Sequence, residues 1–197
     1  MDLSRIDHTL LLPLWAQIPD EKQASDLVRK TILNPLQFWK SYGISAMQSN
    51  KGIEDTSSEM VHMIWNSLIG EGMLRYGFRK EAADLVKRLM NVVILNLKRH
   101  QYFYSYYDGN TGVGHGDRNT LRGFPPVHLF LETLGVRIIS SKKIFLHGSN
   151  PFPWPVTLHY KGLTVIRESD KTKISFPDGQ TAIINSEDPR IVEMEAS

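Results

Sequence analysis

The sequence predicts an α+β protein, with a helical part over residues 1–136 followed by a small antiparallel β part over 137–197. Three observations carry this. Apolar residues recur three and four apart in two consecutive runs between residues 56 and 100, the period of a helix face. From Val136 the period drops to two, in short β-branched runs. Between the two regimes lies a connection, residues 102–119, in which four tyrosines precede Gly109, Gly112, Gly114 and Gly116, with polar side chains between the glycines. Glycines let the backbone turn sharply, so this connection is the natural place to look for side chains aimed into a cleft.

Taken in order, residues 8–19 are mostly apolar but interrupted by Pro13, which suits a short buried segment. Asp20 opens a helix to about Leu33, with Ala24, Leu27, Val28 and Thr31 on one stripe and Asn34-Pro35 as its stop. Phe38-Trp39 and Tyr42-Gly43-Ile44 form an aromatic turn, followed by a polar, irregular run to Asp55. Thr56 and Glu59 have the spacing of a capping box, in which hydroxyl and carboxylate each satisfy a free backbone N–H. A helix is therefore expected to start there, with Val61, Ile64, Trp65, Leu68 and Gly72 inward and Tyr76-Gly77 at its end. The next helix runs from Arg79 to about His100, with Ala82, Leu85, Val86, Leu89, Val93 and Leu97 on its stripe. So short a link makes the two antiparallel neighbours. Beyond the glycine-rich loop, Pro125 and Pro126 open a helix with Val127, Phe130, Leu131 and Leu134 inward, and Gly135 closes it. Five alternating runs follow between residues 143 and 185, with Asp178-Gly179 as a hairpin tip. The tail from Ser186 is expected to be poorly ordered.

Composition narrows the function classes. Lys plus Arg number 23 against 21 Asp plus Glu, a net charge of +2 without a long basic run, so charge points to neither nucleic acid nor an anionic membrane. Partners are expected to be neutral. There is no cysteine, which excludes disulfides, thiolate metal sites and cysteine nucleophiles. The first residues are charged where a signal peptide needs an apolar run, and no stretch approaches the ~18 apolar residues of a membrane span. The chain reads as cytoplasmic and soluble.

Three motifs stand in a fixed order: Phe38-Trp39-x-x-Tyr42-Gly43-Ile44; Asn66-Ser67-Leu68-Ile69-x-Glu71-Gly72-Met73-Leu74-Arg75-Tyr76-Gly77; and Tyr107-Asp108-x-x-Thr111-Gly112. Over residues 30–185 they resemble the C-terminal portion of inverting α-glycosidases built on the (α/α)6 toroid, of the mannosylglycerate-hydrolase, glucosidase-I and trehalase kind. The resemblance implies a partial toroid followed by a β-sandwich-like domain, a carbohydrate ligand and no cofactor. Three departures accompany it. Glu59-Met60-Val61-His62 stands where that group has Gly-Pro-Ile-Trp. Ser105 stands where its general-base glutamate lies, two residues before the loop tyrosine. The sequence also supplies about four or five helices where a whole toroid has twelve, and the general acid belongs to the upstream part.

Inversion requires one protonated carboxyl for the leaving oxygen and one carboxylate to activate water. With Ser105 in the usual base position, the nearest loop carboxylates are Asp117 and Asp108. Asp117 follows Gly116 in a turn that presents it, with Arg118 beside it. Asp108 before Gly109 equally suits a turn aspartate bonding its own backbone. Sugars offer apolar ring faces, so Trp39, Tyr42, Tyr104 and Tyr107 are candidate platforms, with Asn66 and His115 as polar partners. Asp117, Tyr107 and Trp39 are expected to converge on one depression. His62, His115 and Asp117 lack metal-ligand spacing, so no metal is expected. The run from Gly112 to Gly116 lacks the preceding strand and the Lys-Ser/Thr ending of a phosphate loop.

Two readings stay open: a C-terminal part of a glycosidase supplying the base side of a sugar cleft, or a non-catalytic carbohydrate-binding or interaction module that has lost the chemistry. In either, the first and last of a few toroid helices lack neighbours, so association with an N-terminal half or with itself is expected, and no glycosidase activity alone.

Overall fold

A computed structural model describes residues 6–48 and 59–195 and divides the chain into two units, residues 1–129 and 130–197. Thr56 lies outside the described residues. In the first unit, Asp7 accepts a hydrogen bond from the Thr9 N–H and starts a 3-10 turn, His8–Leu11, that runs into α1 (Leu12–Trp15) with Pro13 in its first turn. Leu11 and Leu14 are fully buried, so the apolar segment around Pro13 is two short helical turns. Asp20 and Gln23 form a reciprocal capping box that opens α2 (Glu21–Asp26). Its continuation, Leu27–Ile32, is π-helical and keeps Val28 and Ile32 inside. The Asn34 carbonyl accepts from the N–H groups of Gln37, Phe38 and Trp39, which stops the helix.

The aromatic turn at 38–44 is a two-stranded hairpin, β1 (Trp39–Lys40) and β2 (Gly43–Ile44). Met60 and Val61, expected in a helix, are strand β3, paired with residues 107–108, and the helix α3 (Met63–Arg75) starts only after His62. Cross-strand pairing thus overrides the helical pattern at its first turn, and the stripe rotates with it. The buried side of α3 is Met63, Asn66, Ile69, Gly70, Gly72 and Met73, whereas Ile64 is 56% exposed. Two glycines in that list permit close approach: a Cβ on Gly72 would lie 2.7 Å from the Trp15 nitrogen, and one on Gly70 2.5 Å from Leu129. Gly77, at φ +80°, separates α3 from α4 (Arg79–His100). Ala82, Leu85, Val86, Leu89 and Val93 face inward as the spacing predicts, but Leu97 is exposed and Asn96 takes the buried place. Among the described residues no helix is long and apolar enough to cross a membrane.

The glycine-rich connection is not a loop. Residues 104–118 fold as an antiparallel hairpin, β4 (Tyr104–Asp108) and β5 (Gly114–Arg118), with its turn at 109–113. A 3-10 turn at Leu121–Gly123 follows, then α5 (Val127–Leu134), in which Leu129 rather than Val127 is buried.

The second unit is antiparallel throughout its described strands. One sheet has the order β12-β7-β6, from β6 (Val136–Ser140), β7 (Lys143–Leu146) and β12 (Arg190–Glu193). The other is β8 (Val156–Tyr160), β9 (Leu163–Arg167), β10 (Thr172–Ser175) and β11 (Thr181–Ile184), paired in sequence. Leu163 and Val165 of β9 and Thr172 and Ile174 of β10 are buried with Phe176, as their alternation predicts, and Gly179 sits at φ +93° in the hairpin tip. The tail is not disordered where it is described, since β12 pairs with β7 over four residues. Arg167 is 3% exposed and joins the two sheets: its guanidinium donates to Thr172 Oγ1 and to the carbonyls of Leu134, His147 and Gly148.

Gly72→Ala gains helix propensity yet forces a methyl into the backbone of α1. The collision is expected to win, lowering stability by about 1–3 kcal/mol despite the ~1 kcal/mol propensity gain. Gly70→Ala, whose obstacle is the end of a leucine side chain, is expected to cost less. Urea unfolding of the two variants ranks them.

Candidate functional site

The hairpin's turn is locked from several sides. Asp108 Oδ1 accepts from the N–H groups of Asn110 and Thr111 and from the Thr111 hydroxyl, at 2.7–3.0 Å. Burial alone would raise the Asp108 pKa, but these donors outweigh it and hold the carboxyl below its usual range. The Tyr42 N–H donates to the Gly109 carbonyl, the Gly109 N–H to the Glu59 carbonyl, and Asn96 Nδ2 to the Gly112 carbonyl. Gly112, at φ +73°, lies against the Tyr42 ring, where any Cβ would come within 2.8 Å. Asp108 is thus a turn aspartate, and Tyr42 is the surface on which the turn is seated.

The other candidates divide. Tyr107 has no exposed surface; its hydroxyl accepts from the Tyr104 N–H and donates to the Gly123 carbonyl, and burial raises its pKa. It is a core residue, so the convergence of Tyr107, Trp39 and Asp117 on one depression does not form. Trp39 is half-buried beneath the Arg88 guanidinium, 4.9 Å from the ring centre. Asn66 is 2% exposed: its Oδ1 accepts from the Ile44 N–H, while Nδ2 donates to the carbonyls of Ile44 and His62. That amide is occupied inside the chain. Ser105, in the position the resemblance gives to the general base, is 6% exposed, and its hydroxyl lies 3.1 Å from both the Asp117 carbonyl and the Thr120 hydroxyl. Asp117 is exposed on β5, across the ladder from Ser105. The register shifts between Tyr104 and Tyr106, with Gly116 at φ +78°, so a bulge turns this end of β5 outward.

One grouping escapes sequence reasoning. Isolated bridges extend the sheet β3-β4-β5, because Ser45 pairs with Val61 and Asp7 with Met47. The His8 N–H donates to the Ala46 carbonyl at 2.8 Å, and the Ala46 N–H to the Met60 carbonyl at 2.7 Å. Across these strands runs a series of neighbouring rings: Trp65 to His8 at 4.9 Å, His8 to His62 at 6.0 Å, His62 to Tyr106 at 5.4 Å, and Tyr106 stacked on His115 at 6.1 Å. All five are half-buried. Burial lowers the pKa of His8, with His62 lowering it further and Asp7 opposing; burial lowers that of His62 too. Neutral imidazoles each carry one donor and one acceptor, so this face combines ring surfaces with hydrogen-bonding capacity of both kinds. Of its members only His115 is a binding residue that the sequence predicts. The period-two placement of Tyr104 and Tyr106 carries the signal for a strand; nothing near His8 in sequence announces its neighbours. Among the described residues no group of three side chains is placed to hold a metal ion.

No protein-family model matches the chain, and no curated protein matches it. Its fold is similar to part of the GH63 mannosylglycerate hydrolase from Thermus thermophilus. In that enzyme's complex with glucose the TM-score is 0.51 at 24% identity, covering 66% of this chain and 30% of the hydrolase. The complex with Tris gives 0.50 and 23% over the same shares. A sialidase structure covers 94% of this chain and 19% of its own length, with a TM-score of 0.56 at 12% identity. The chain therefore spans less than a third of each of these proteins, and its fold is similar to that part of them.

A histidine whose folded pKa is lowered binds fewer protons in the folded than in the unfolded state. Stability is then full above the unfolded value and is lost as pH falls from about 6.5 towards the lowered folded values. The urea midpoint is expected to drop between about pH 7.5 and 5.5, above the carboxylate range. Replacing His8 and His62 together by Gln should flatten that pH dependence.

Proposed function

We propose that the chain is a carbohydrate-binding piece of a glycoside-hydrolase-like architecture, related to the C-terminal portion of (α/α)6 toroid enzymes, that no longer supplies a general base at the family position. The observation that carries this is Ser105, buried with its hydroxyl engaged where the resemblance places the base, beside an Asp108 whose carboxylate serves its own turn. Recognition of a sugar falls to the ring face of His62, Tyr106, His115 and Trp65, whose faces stack on pyranose carbons and whose imidazoles meet hydroxyls.

A second reading has its own support. The Asp117 carbonyl accepts from the Ser105 hydroxyl across the β4-β5 pair, where the register shifts, so β5 offers a carboxylate near the position the resemblance gives to the base. In that reading Asp117 is the base of an inverting α-glycosidase completed by upstream helices. Exposed Ile64 of α3 and Ile94 of α4 are the surfaces such helices, or a second copy, would cover.

Isothermal titration with glucose and with mannosylglycerate, the ligand and substrate class of the similar hydrolase, tests the first reading. Binding without turnover is expected, with Tyr106→Ala weakening it about three- to tenfold, the value of one aromatic contact of about 0.5–1.5 kcal/mol. Absence of binding to any pyranose ends the proposal. Hydrolysis of an α-glycoside that Asp117→Asn abolishes, with binding retained, would establish the second reading instead. Light scattering after size-exclusion chromatography is expected to show association, and Ile64→Ser with Ile94→Ser to reduce it.

A further inference from the structure

The end of α4 and the far end of the β4-β5 hairpin build a second surface, distinct from the ring face in charge. Tyr102 lies under the Arg118 guanidinium at 4.4 Å, is stacked with His100 at 5.8 Å, and meets Tyr104 edge-on at 5.2 Å. Arg118 is the register partner of Tyr104, so strand pairing fixes the cation over the neighbouring Tyr102 ring. The Asn119 N–H donates to the Phe103 carbonyl, and Phe103 meets Phe124 at 6.0 Å, which brings residues 119–124 alongside 102–104. Gly123 is pressed so closely on the Tyr104 carbonyl that a Cβ there would overlap it, so the turn carrying Leu121 and Arg122 has one seat.

Exposed within residues 97–104 and 117–124 are Lys98, Arg99, His100, Arg118 and Arg122, against one acid, Asp117. In the same stretches Leu121 is 88% exposed, Phe124 50% and Leu97 41%. Tyrosine, arginine and large apolar groups held rigidly on a surface are the composition of protein-interface anchors. An excess of cations around them selects an anionic partner and speeds its encounter.

We propose that this basic, tyrosine-rich edge docks an acidic protein segment whose apolar side chains cover Leu121 and Phe124 while its carboxylates meet Arg118, Arg122 and Lys98. Single-stranded nucleic acid fits the edge less well. Its bases need open ring faces, whereas the Tyr102 ring is already engaged by Arg118 and His100. The inference stands apart from the sugar reading and shares no residue with the ring face.

The test uses the whole chain and three fluorescent probes in anisotropy titrations at low and physiological salt: a random copolymer of glutamate and tyrosine, polyglutamate, and oligothymidylate. The copolymer is expected to bind most tightly, and more weakly as salt rises. Arg118→Glu and Leu121→Ser should each weaken it about tenfold, while Lys173→Glu, on β10 of the other unit, should not. Thermal unfolding checks that the variants remain folded, and Arg122→Glu provides a second reversal should Arg118→Glu disturb the hairpin. Failure of the copolymer to bind overturns the proposal. So does polyglutamate binding as tightly as the copolymer, because the apolar anchors would then contribute nothing. Tighter binding of oligothymidylate than of either peptide assigns the edge to nucleic acid and equally overturns it.

Discussion

The first unit depends on one buried amide. Asn66 presents its oxygen to the Ile44 N–H and its nitrogen to the Ile44 carbonyl, so one side chain on α3 closes both backbone groups of one strand residue. Left unpaired in this interior, each such group would cost about 1–3 kcal/mol. The clip also fixes how near β2 comes: Gly43, at φ +144°, sits where a Cβ would be 3.0 Å from the Asn66 oxygen and within 2.9 Å of Val61 and Leu89. From β2 the consequences spread outward, since Ser45 pairs with Val61, Val61 with Tyr107, and Tyr106 then meets His62 and His115. The ring face is held in place by a contact that touches none of its members' rings.

This explains why residues that look like a binding signature serve the scaffold. Asn66, Tyr42, Tyr107 and Asp108 lie in the three motifs that carry the resemblance, yet each is consumed by the fold: a clip, a seat, a core hydroxyl and a turn. The half-buried rings of the ring face, by contrast, all stand outside those motifs. A motif records spacing along the chain, and spacing reports equally on chemistry and on the architecture that carries it.

Much of the architecture is legible from residue pattern. α4 emerges with the boundaries its periodicity indicates, and five strands of the second unit, β7 to β11, follow their β-branched alternation because both propensity and turn chemistry agree there, whereas β12 forms in the tail expected to be poorly ordered. The glycine-rich stretch reads as a loop because of its four glycines and its Asp-Gly pair, although Asp-Gly between runs at Tyr104 and Gly114 is also a hairpin signal. The stripe of α3 is misplaced by pattern for a different reason. Gly72 is buried as expected, but the stripe also turns on Gly70 and Asn66, which carry no hydrophobicity for a periodic pattern to detect. Least legible is the ring face, assembled by long-range bridges between residues 7, 47, 45 and 61, a register that no local window contains.

Arg167 gives the second unit a mechanical character. Its guanidinium, almost without solvent, reaches carbonyls at the end of α5 and after β7 while its own strand belongs to the other sheet. A buried cation tolerates no intermediate state in which one sheet has peeled away, because the charge would face an apolar gap without its acceptors. The two sheets should therefore separate together, and amide protons around 134–148 should exchange in step with those of 163–175, as one cooperative unit in native-state hydrogen exchange.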